Sequence, residues 1–337
     1  MPPSGPSPAR FFEAVNAFQR TEVLKTAVEL DLFTRIAAGH TSADQLATAC
    51  GANPRGVRIL ADYLTVDGWL RKQGESYSNT PDAEVFLNRR SPAYLGGALE
   101  FMLTPMIRDC FASLTAAVRK GGTAVSAEGT VSHDNPVWVA FARGMAPLMR
   151  MPAELLVGLI GGDRSEPLRL LDVAAGHGLF GIAVAQHYPN GQVMALDWEN
   201  VLAVAAENAN AAGVSDRHHL LPGSAFDVDW GGPYDLVLFT NFLHHFDPPT
   251  NETLARKAHA ALAPGGRVLT LEFIPEPDRV SPPATATFAL TMLATTAAGD
   301  AYTFAEYERV FAAAGFARSE FHPLPPTTQQ AVVTFMA

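Results

Sequence analysis

Residues 171–181, "LDVAAGHGLFG", decide the fold of this chain. They overlap an apolar run that predicts a buried strand over 168–174, and the next helix is predicted to begin at Leu179. Glycines at such a turn let the backbone approach a ligand closely, and the amino terminus of a helix favours an anionic group. We therefore expect a cofactor site here, with Gly176 and Gly178 among its contacts.

From this stretch onward, strand patterns alternate with helix patterns, which predicts a parallel sheet with crossover helices. Further strands are predicted over 192–197, 218–223, 234–240 and 267–274, the last introduced by a turn at 264–266. The chain then closes with strands over 317–325 and 330–337, which pair as an antiparallel hairpin. The predicted fold class is α/β, with seven strands in a mixed sheet.

Residues 10 to about 90 have a different pattern, in which apolar residues recur at helical spacing. Ser42 is predicted to cap a helix that Gly51 ends, and a second helix opens at Pro54. Two short polar strands then surround Gly74. Helix, turn, helix and β-hairpin form a winged-helix arrangement.

The charge distribution argues against DNA binding by this winged helix. Residues 1–90 carry ten basic and ten acidic side chains, and the remainder carries 14 basic against 24 acidic. Neither part has the excess of positive charge that binding to a phosphate backbone requires. We predict a dimerisation role for the winged helix and no nucleic-acid partner.

Composition excludes several other classes of protein. The chain is 48% hydrophobic and 17% charged, and no apolar run reaches the roughly 18 residues of a membrane span. Its first ten residues lack the basic and apolar segments of a secretion signal, so we expect a cytoplasmic protein. Cys50 and Cys110 lack paired spacing, so no cysteine-based zinc site or disulfide is expected.

Two cofactor classes fit the glycine turn. Gly176, Gly178 and Gly181 satisfy the G-x-G-x-x-G spacing of nicotinamide enzymes. Asp172 lies inside the strand, four residues before the first glycine, and argues against that class. Asp197 ends the second strand, where a carboxylate accepts ribose hydroxyls in both classes.

The downstream motifs separate these two classes. The segment "GSAF" (223–226) follows the third strand, where an adenine could sit, and "PYDLVLF", "NFLHH" and "LAPGGRVLTLEF" come after it in that order. The ordered set resembles class I S-adenosylmethionine-dependent methyltransferases. More narrowly, it is similar to plant caffeic-acid-type and bacterial small-molecule O-methyltransferases, which carry an amino-terminal winged-helix dimerisation domain. The resemblance covers roughly residues 10 to 337.

The resemblance implies an architecture. The sheet is expected to be Rossmann-like with strand order 3-2-1-4-5-7-6, counted along the chain. A winged-helix dimerisation domain is expected over 1–95, a helical linker contributing to the active site over 96–160, and an S-adenosylmethionine-binding domain over 161–337. The chain is expected to act as a homodimer through the first of these.

The resemblance also implies site residues. The cofactor contacts that it implies are Asp172, Gly176, Gly178, Asp197, Trp198, Ser224, Ala225, Phe226, Thr240 and Met149. Its substrate contacts are Phe141, Met145, Asn241, His245, Phe288 and Met292, with Tyr302, Met102 and Met106 adding to an apolar acceptor pocket. Ser224 and Thr240 are departures, since many plant members have an acid at the first position and a lysine at the second.

The histidines of "NFLHHFD" (241–247) follow the fourth strand. A phenol has a pKa near 10, so a neutral imidazole that removes its proton contributes roughly 10²–10⁴-fold. In the similar family the base is a histidine followed by an acid and an aromatic residue, which places the base at His244 and puts His245 in place of the acid. The residues alone leave His244 open as a base, as a wall that orients the substrate, or as packing.

A carboxylate is expected to support this base. Glu272 ends the fifth strand, and the family places a carboxylate there that holds the other nitrogen of the base. Adjacent parallel strands would in any case bring Glu272 near His244. A second family carboxylate falls at Ala301, one position after Asp300, and is therefore missing. His245 is predicted to point away from His244 if the strand continues, so no metal site is expected.

The first functional hypothesis is methyl transfer from S-adenosylmethionine to a hydroxyl of a small aromatic or polyketide-like metabolite. A C- or N-methyltransferase, or a relative that does not methylate, is a second hypothesis. A winged-helix regulator that senses S-adenosylmethionine is a third, from another class.

Overall fold

The computed structural model describes residues 6–127, 129–130 and 135–336. The chain divides into two compact units, residues 1–99 and 100–337, which are described separately below. The division into three domains, in which residues 96–160 form a separate linker, remains a prediction.

The first unit is mostly helical, as predicted. Its elements are α1 (Ala9–Val15), α2 (Ala17–Glu29), α3 (Leu32–Ala37), α4 (Ala43–Cys50), α5 (Pro54–Val66), β1 (Leu70–Gln73), β2 (Ser76–Asn79) and α6 (Pro81–Phe86). Ser42 and Gln45 form a reciprocal capping box at the start of α4, and Gly51 ends that helix with a φ of 63°. The Asn53 side chain accepts a hydrogen bond from the backbone N–H of Arg55 and caps α5. These local contacts explain why both helix starts could be predicted.

The wing is an antiparallel hairpin that packs on α5. β1 pairs with β2 around Gly74, and Tyr77 on β2 is buried. The Tyr77 hydroxyl donates to Asp62 of α5 over 2.7 Å, and Lys72 and Arg58 form ion pairs with the same carboxylate. Two cations of the helix and wing are therefore already paired within the unit.

The second unit contains ten α-helices and seven strands within the described residues. Its helices are α7 (Ala98–Met102), α8 (Pro105–Ala112), α9 (Leu114–Lys120), α10 (Val137–Val157), α11 (Leu179–His187), α12 (Glu199–Ala211), α13 (Pro248–Ala261), α14 (Pro283–Ala286), α15 (Phe288–Thr295) and α16 (Phe304–Ala313), of which α7 begins just before the unit boundary. Its strands are β3 (Leu168–Val173), β4 (Gly191–Asp197), β5 (His218–Pro222), β6 (Tyr234–Thr240), β7 (Leu262–Glu272), β8 (Arg318–Pro323) and β9 (Gln330–Phe335).

The seven strands form one sheet in the order β5-β4-β3-β6-β7-β9-β8. Counted from β3, this is the predicted order 3-2-1-4-5-7-6, so the predicted fold is confirmed. β3 to β7 are parallel to one another, whereas β9 is antiparallel to both β7 and β8. The strand order reverses at β3, and the carboxyl ends of strands beside such a reversal form the ligand crevice of open α/β sheets.

The predicted start of the fifth strand is wrong, and the strand before the histidines does not continue into them. β7 begins at Leu262, before the turn predicted at 264–266, because the register against β6 shifts and the extra residues are accommodated there with Gly265 at a φ of 76°. β6 ends at Thr240, and a 3₁₀ turn over Leu243–His245 follows it. The two histidines therefore do not alternate as on a strand.

Apolar clusters cover both faces of this sheet. One cluster joins β6 and β7 to α13 and α16, and the other joins β3 and β6 to α10 and α11. Within the described residues, no helix is both long and apolar enough to cross a membrane.

Candidate active site

A cavity of about 330 Å³ opens at the carboxyl ends of β3, β4 and β6. Ten predicted site residues line it: Phe141, Gly176, Asp197, Trp198, Ser224, Ala225, Phe226, Thr240, Asn241 and His245. Eight residues that were not among the predicted contacts also line it: Trp138, Ala174, Leu196, Val201, Gly223, Asp227, Phe242 and Phe246. The cavity therefore lies where the strand order predicts a ligand.

The glycine turn shapes the floor of the cavity. Gly176 has a φ of 58°, and its N–H donates to Asp197 Oδ2 over 2.8 Å. Gly178 does not line the cavity. It has a φ of 75°, and a Cβ at that position would lie 2.9 Å from the Cβ of Ala205 on α12. Gly178 is thus required for helix packing beneath the turn.

Asp197 presents a carboxylate to the cavity. Its Oδ1 accepts a hydrogen bond from the backbone N–H of Trp198 over 2.7 Å. Burial raises the pKa of Asp197 to about 6, and the two backbone hydrogen bonds oppose that shift. The group is therefore mostly ionised at neutral pH and can accept hydrogen bonds from a diol.

Asp172, predicted as a cofactor contact, does not line the cavity. Its side chain is fully buried, and Oδ2 accepts from the backbone N–H of Gly181 over 3.1 Å. Its Oδ1 has no hydrogen-bond partner within the described residues, and burial raises the pKa of Asp172 to about 7. Asp172 therefore supports the glycine turn from below.

The loop after β5 forms an apolar wall. Ala225 is buried, whereas Phe226 is 40% exposed and lies edge-on to Phe246 with ring centroids 5.2 Å apart. Ser224 Oγ accepts from the backbone N–H of Phe226 over 3.2 Å, so this hydroxyl helps to shape the loop. An aromatic base can pack against such a wall.

These features fit the adenosine part of S-adenosylmethionine. A carboxylate for the ribose hydroxyls, an apolar wall for adenine and a close-approach glycine turn lie around one cavity. Within the described residues, no group of three or more His, Cys, Asp or Glu side chains is placed to hold a metal ion.

Asn241 holds a strained position between β6 and the histidines. Its φ is 54°, in a region that favours glycine, and its backbone N–H donates to Leu271 O over 2.8 Å. Its side chain accepts from Gln329 and donates to Met149 Sδ over 3.6 Å. Met149 does not line the cavity and instead supports Asn241.

His244 and Glu272 meet as the parallel strands predict. His244 Nδ1 is hydrogen-bonded to Glu272 Oε2, and both side chains are buried. Glu272 Oε1 accepts from the backbone N–H groups of Phe242 and Leu243 over 3.0 and 2.9 Å. An ionised carboxylate can only accept, so Nδ1 carries the proton and Nε2 keeps its lone pair. Nε2 has no hydrogen-bond partner within the described residues.

His245 lines the cavity, whereas His244 does not. The two rings are adjacent, with centroids 4.2 Å apart, and the His245 ring also meets Trp138 edge-on at 5.2 Å. His245 Nδ1 donates to the carbonyl of Phe242 over 3.0 Å, which leaves its Nε2 as an acceptor as well. Burial lowers the pKa of His245 well below its usual range, and His244 adds to this shift.

Comparison with known proteins identifies the family. Residues 111–317, more than half of the chain, match the O-methyltransferase domain, and residues 12–89 match the O-methyltransferase dimerisation domain. The chain belongs to the O-methyltransferase family.

Three relatives show the extent of the likeness. A solved structure of a candidate O-methyltransferase from Nostoc punctiforme is 54% identical, covers 98% of this chain and 100% of that one, and superposes with a TM-score of 0.95. The tetracenomycin polyketide synthesis 8-O-methyl transferase TcmO of Streptomyces glaucescens is 29% identical over 92% of this chain and 91% of its own length. Human N-acetylserotonin methyltransferase, solved with S-adenosylmethionine, is 22% identical, covers both chains fully and has a TM-score of 0.85, which shows the shared fold. The prediction that S-adenosylmethionine is the cofactor is confirmed at the level of the family.

In this O-methyltransferase the predicted acceptor pocket is only partly assembled around the histidines. Phe288 meets the His244 ring edge-on at 4.8 Å and stacks on Phe273 at 4.2 Å. Met292 is buried in α15, and Met145 packs in an apolar cluster of the second unit. None of Met145, Phe288 and Met292 lines the 330 Å³ cavity, and neither do Met102, Met106 and Tyr302.

Asp300 does not replace the carboxylate missing at Ala301. Its backbone N–H donates to the carbonyl of His244 over 3.0 Å, but its side chain pairs with Arg279 at 3.2 Å. Ala301 is fully buried. Glu272 is therefore the carboxylate that contacts the His244 ring.

Several cavity residues of the enzyme could have been found from the sequence. Trp138 lies one helical turn before Phe141 on α10, and Ala174 lies two residues before Gly176. By contrast, the contact of Gln329 with Asn241 spans 88 residues and carries no local signal.

Proposed function

We propose that this enzyme transfers the methyl group of S-adenosylmethionine to a hydroxyl of a small aromatic or polyketide-like metabolite, with His244 as the general base. The observation that carries the proposal is the buried Glu272 carboxylate on His244 Nδ1, which leaves Nε2 free to take a proton. Relatives whose names specify polyketide and N-acetylserotonin O-methylation support the acceptor class.

Three groups of residues would hold the cofactor. Asp197 would accept hydrogen bonds from the ribose hydroxyls, Ala225 and Phe226 would enclose the adenine, and the turn at Gly176 would let the backbone approach the amino-acid part. When bound, the cofactor supplies a methyl group activated by a positively charged sulfur.

The histidines divide the work on the acceptor. His244 Nε2 takes the proton of the acceptor hydroxyl as that oxygen accepts the methyl group, and Glu272 stabilises the imidazolium that results. His245 stays neutral because of its lowered pKa, so its Nε2 orients a second polar group of the acceptor from the cavity wall. Phe288 packs beside the His244 ring.

The enzyme is proposed to work in the cytoplasm as a homodimer through its first unit, without nucleic acid. The match of residues 12–89 to a dimerisation domain supports the dimer. The balanced charge of residues 1–90 and the pairing of Arg58 and Lys72 with Asp62 support the absence of a nucleic-acid partner. DNA binding that survives physiological salt would contradict this part and favour a regulator.

The base assignment is tested by His244→Ala and His245→Ala. A panel of naphthols, dihydroxynaphthalenes and polyhydroxylated anthraquinones provides acceptors, and formation of S-adenosylhomocysteine is followed by chromatography. We expect His244→Ala to lower kcat by roughly 10²–10⁴-fold with unchanged cofactor binding. His245→Ala should chiefly raise KM for the acceptor.

A matched control is His259→Ala on α13, whose ring packs on Phe316 and does not line the cavity. It should leave both constants unchanged. The reverse order of effects at His244 and His245 would make His245 the base. If the enzyme methylated carbon or nitrogen acceptors and none of the hydroxyl acceptors, that result would favour a C- or N-methyltransferase.

A further inference from the structure

A single lysine holds the loop that forms the apolar wall of the cavity. Lys257 on α13 donates from Nζ to the carbonyls of Ala225, Phe226 and Val228, over 2.7, 2.9 and 3.1 Å. These three carbonyls belong to consecutive parts of the loop after β5. Their convergence on one ammonium fixes the loop against α13.

A second contact holds the lysine and the loop together. Lys257 Nζ lies 5.1 Å from the centre of the Trp230 ring, and Trp230 Nε1 donates to the carbonyl of Ala225 over 3.0 Å. A cation beside an indole ring is attracted by its negative face. Ala225 is thus held by two donors at its carbonyl while its other side lines the cavity.

Other bonds of the loop are internal, apart from the Gly223 N–H, which donates to the carbonyl of Asp197 over 2.9 Å. The carbonyl of Ser224 accepts from the backbone N–H groups of Asp227 and Val228, both over 3.1 Å. Gly223 has a φ of 136°, and a Cβ there would lie 2.4 Å from Val228 Cγ1. The internal contacts make a tight turn, and the lysine ties that turn to α13.

We propose that Lys257 is a positioning residue for the cofactor, because it fixes the loop at 223–228 so that Ala225 and Phe226 face the adenine ring. The inference rests on the proposed function, since it takes the cavity as the S-adenosylmethionine site. It concerns a residue that does not line the cavity and that the sequence motifs did not indicate.

The lysine is suited to this role because it is partly withdrawn from water. Burial lowers the pKa of Lys257, and Asp227 and Asp229 oppose that shift. If the loop moved away, water would replace only part of the hydrogen bonds that the ammonium and the three carbonyls lose, because the ammonium is partly desolvated. The arrangement therefore favours one loop conformation before the cofactor binds.

Lys257→Met tests the proposal, because it keeps the aliphatic stem and removes the donors. The probe is S-adenosylhomocysteine, titrated calorimetrically into the full-length protein. We expect its Kd to rise by about tenfold or more, as for loss of hydrogen bonds to a charged group. Lys257→Arg should recover most of the affinity. In turnover, KM for S-adenosylmethionine should rise while kcat at saturation stays within about twofold of the wild type.

Arg256→Met is the matched control, since Arg256 neighbours Lys257 on α13 and pairs with Glu252 on the surface at 2.8 Å. It should leave the Kd unchanged. A folded Lys257→Met protein that binds S-adenosylhomocysteine as the wild type does would overturn the inference and leave the proposed function intact. Should Lys257→Met fail to fold, Lys257→Gln and Lys257→Arg replace it. If both of these variants then bound S-adenosylhomocysteine as tightly as the wild type, the inference would be overturned. A wild-type protein that does not bind S-adenosylhomocysteine would instead overturn the proposed function itself.

Discussion

Glu272 is fully buried, and within the described residues its carboxylate is hydrogen-bonded to His244 and to the backbone just before it. One oxygen accepts two backbone N–H groups of the turn that carries the histidines, and the other accepts from the imidazole. The same carboxylate thus shapes the backbone and selects the tautomer. A substitution at Glu272 would disturb both, so substitution of His244 isolates the proton transfer more cleanly.

Ala174 occupies a backbone position that favours glycine. It lines the cavity directly after β3, and its φ is 56°. A residue with a Cβ loses about 1–2 kcal/mol of stability in a left-handed conformation. Replacing it with glycine removes this cost, but the unfolded glycine has more backbone entropy, which offsets part of the gain. We expect Ala174→Gly to raise the free energy of unfolding by about 0.5–1 kcal/mol.

Urea denaturation followed by circular dichroism measures this change. Ala175→Gly is the control, since Ala175 is the next residue in the chain but is not at positive φ, and it should destabilise the protein. Equal shifts of the denaturation midpoint in the two variants would show that the φ of Ala174 is not strained.

At the scale of elements, the sequence predicted what local contacts determine. β6 was predicted with its observed bounds because a continuous apolar run marks a strand buried on both faces. The starts of α4 and α5 followed from side chains that cap their own helices. The glycine turn and Asp197 followed from the strand-to-helix alternation.

What the sequence did not predict depends on contacts between distant segments. The 3₁₀ turn that carries the histidines is fixed by Glu272, about thirty positions further along, and by Asn251 Nδ2, which donates to the carbonyl of Leu243 over 2.9 Å. Lys257 on α13 contacts the loop at 223–228 from about thirty positions further along the chain. Such pairs have no periodicity, so a single sequence does not reveal them.

At the scale of the whole molecule, the first unit carries apolar surface that its own core does not cover. Phe11, Phe12, Val15 and Phe18, on α1 and the start of α2, are each more than half exposed. The same unit has an apolar cavity of about 380 Å³ lined by residues that include Val23, Leu30, Ile59, Leu60 and Tyr63. Exposed apolar patches of this kind mark surfaces that other proteins cover, and this unit matches a dimerisation domain.

We therefore expect the double substitution Phe11→Ser and Phe18→Ser to shift the protein from dimer to monomer, because it removes two aromatic anchors from the interface. Light scattering coupled to size exclusion measures the mass. Val66→Ser on α5 is the control, since Val66 is 90% exposed but lies outside this patch. A dimer unchanged by the double substitution would place the interface elsewhere.

The proposed function requires that the cavity at the carboxyl ends of the sheet bind S-adenosylmethionine through Asp197. Because burial raises the pKa of Asp197 to about 6, the carboxylate is ionised above that pH and protonated below it. A ligand that requires the ionised form binds fully above about pH 6 and loses up to about tenfold in affinity per unit as the pH falls further.

Calorimetric titration of the wild type and of Asp197→Ala with S-adenosylhomocysteine measures this binding without an acceptor. We predict micromolar or tighter binding by the wild type at about pH 7.5, weaker binding at about pH 5, and none by Asp197→Ala. Absence of binding by the wild type, or equal binding by both proteins at both pH values, would show that Asp197 does not hold the cofactor in this cavity.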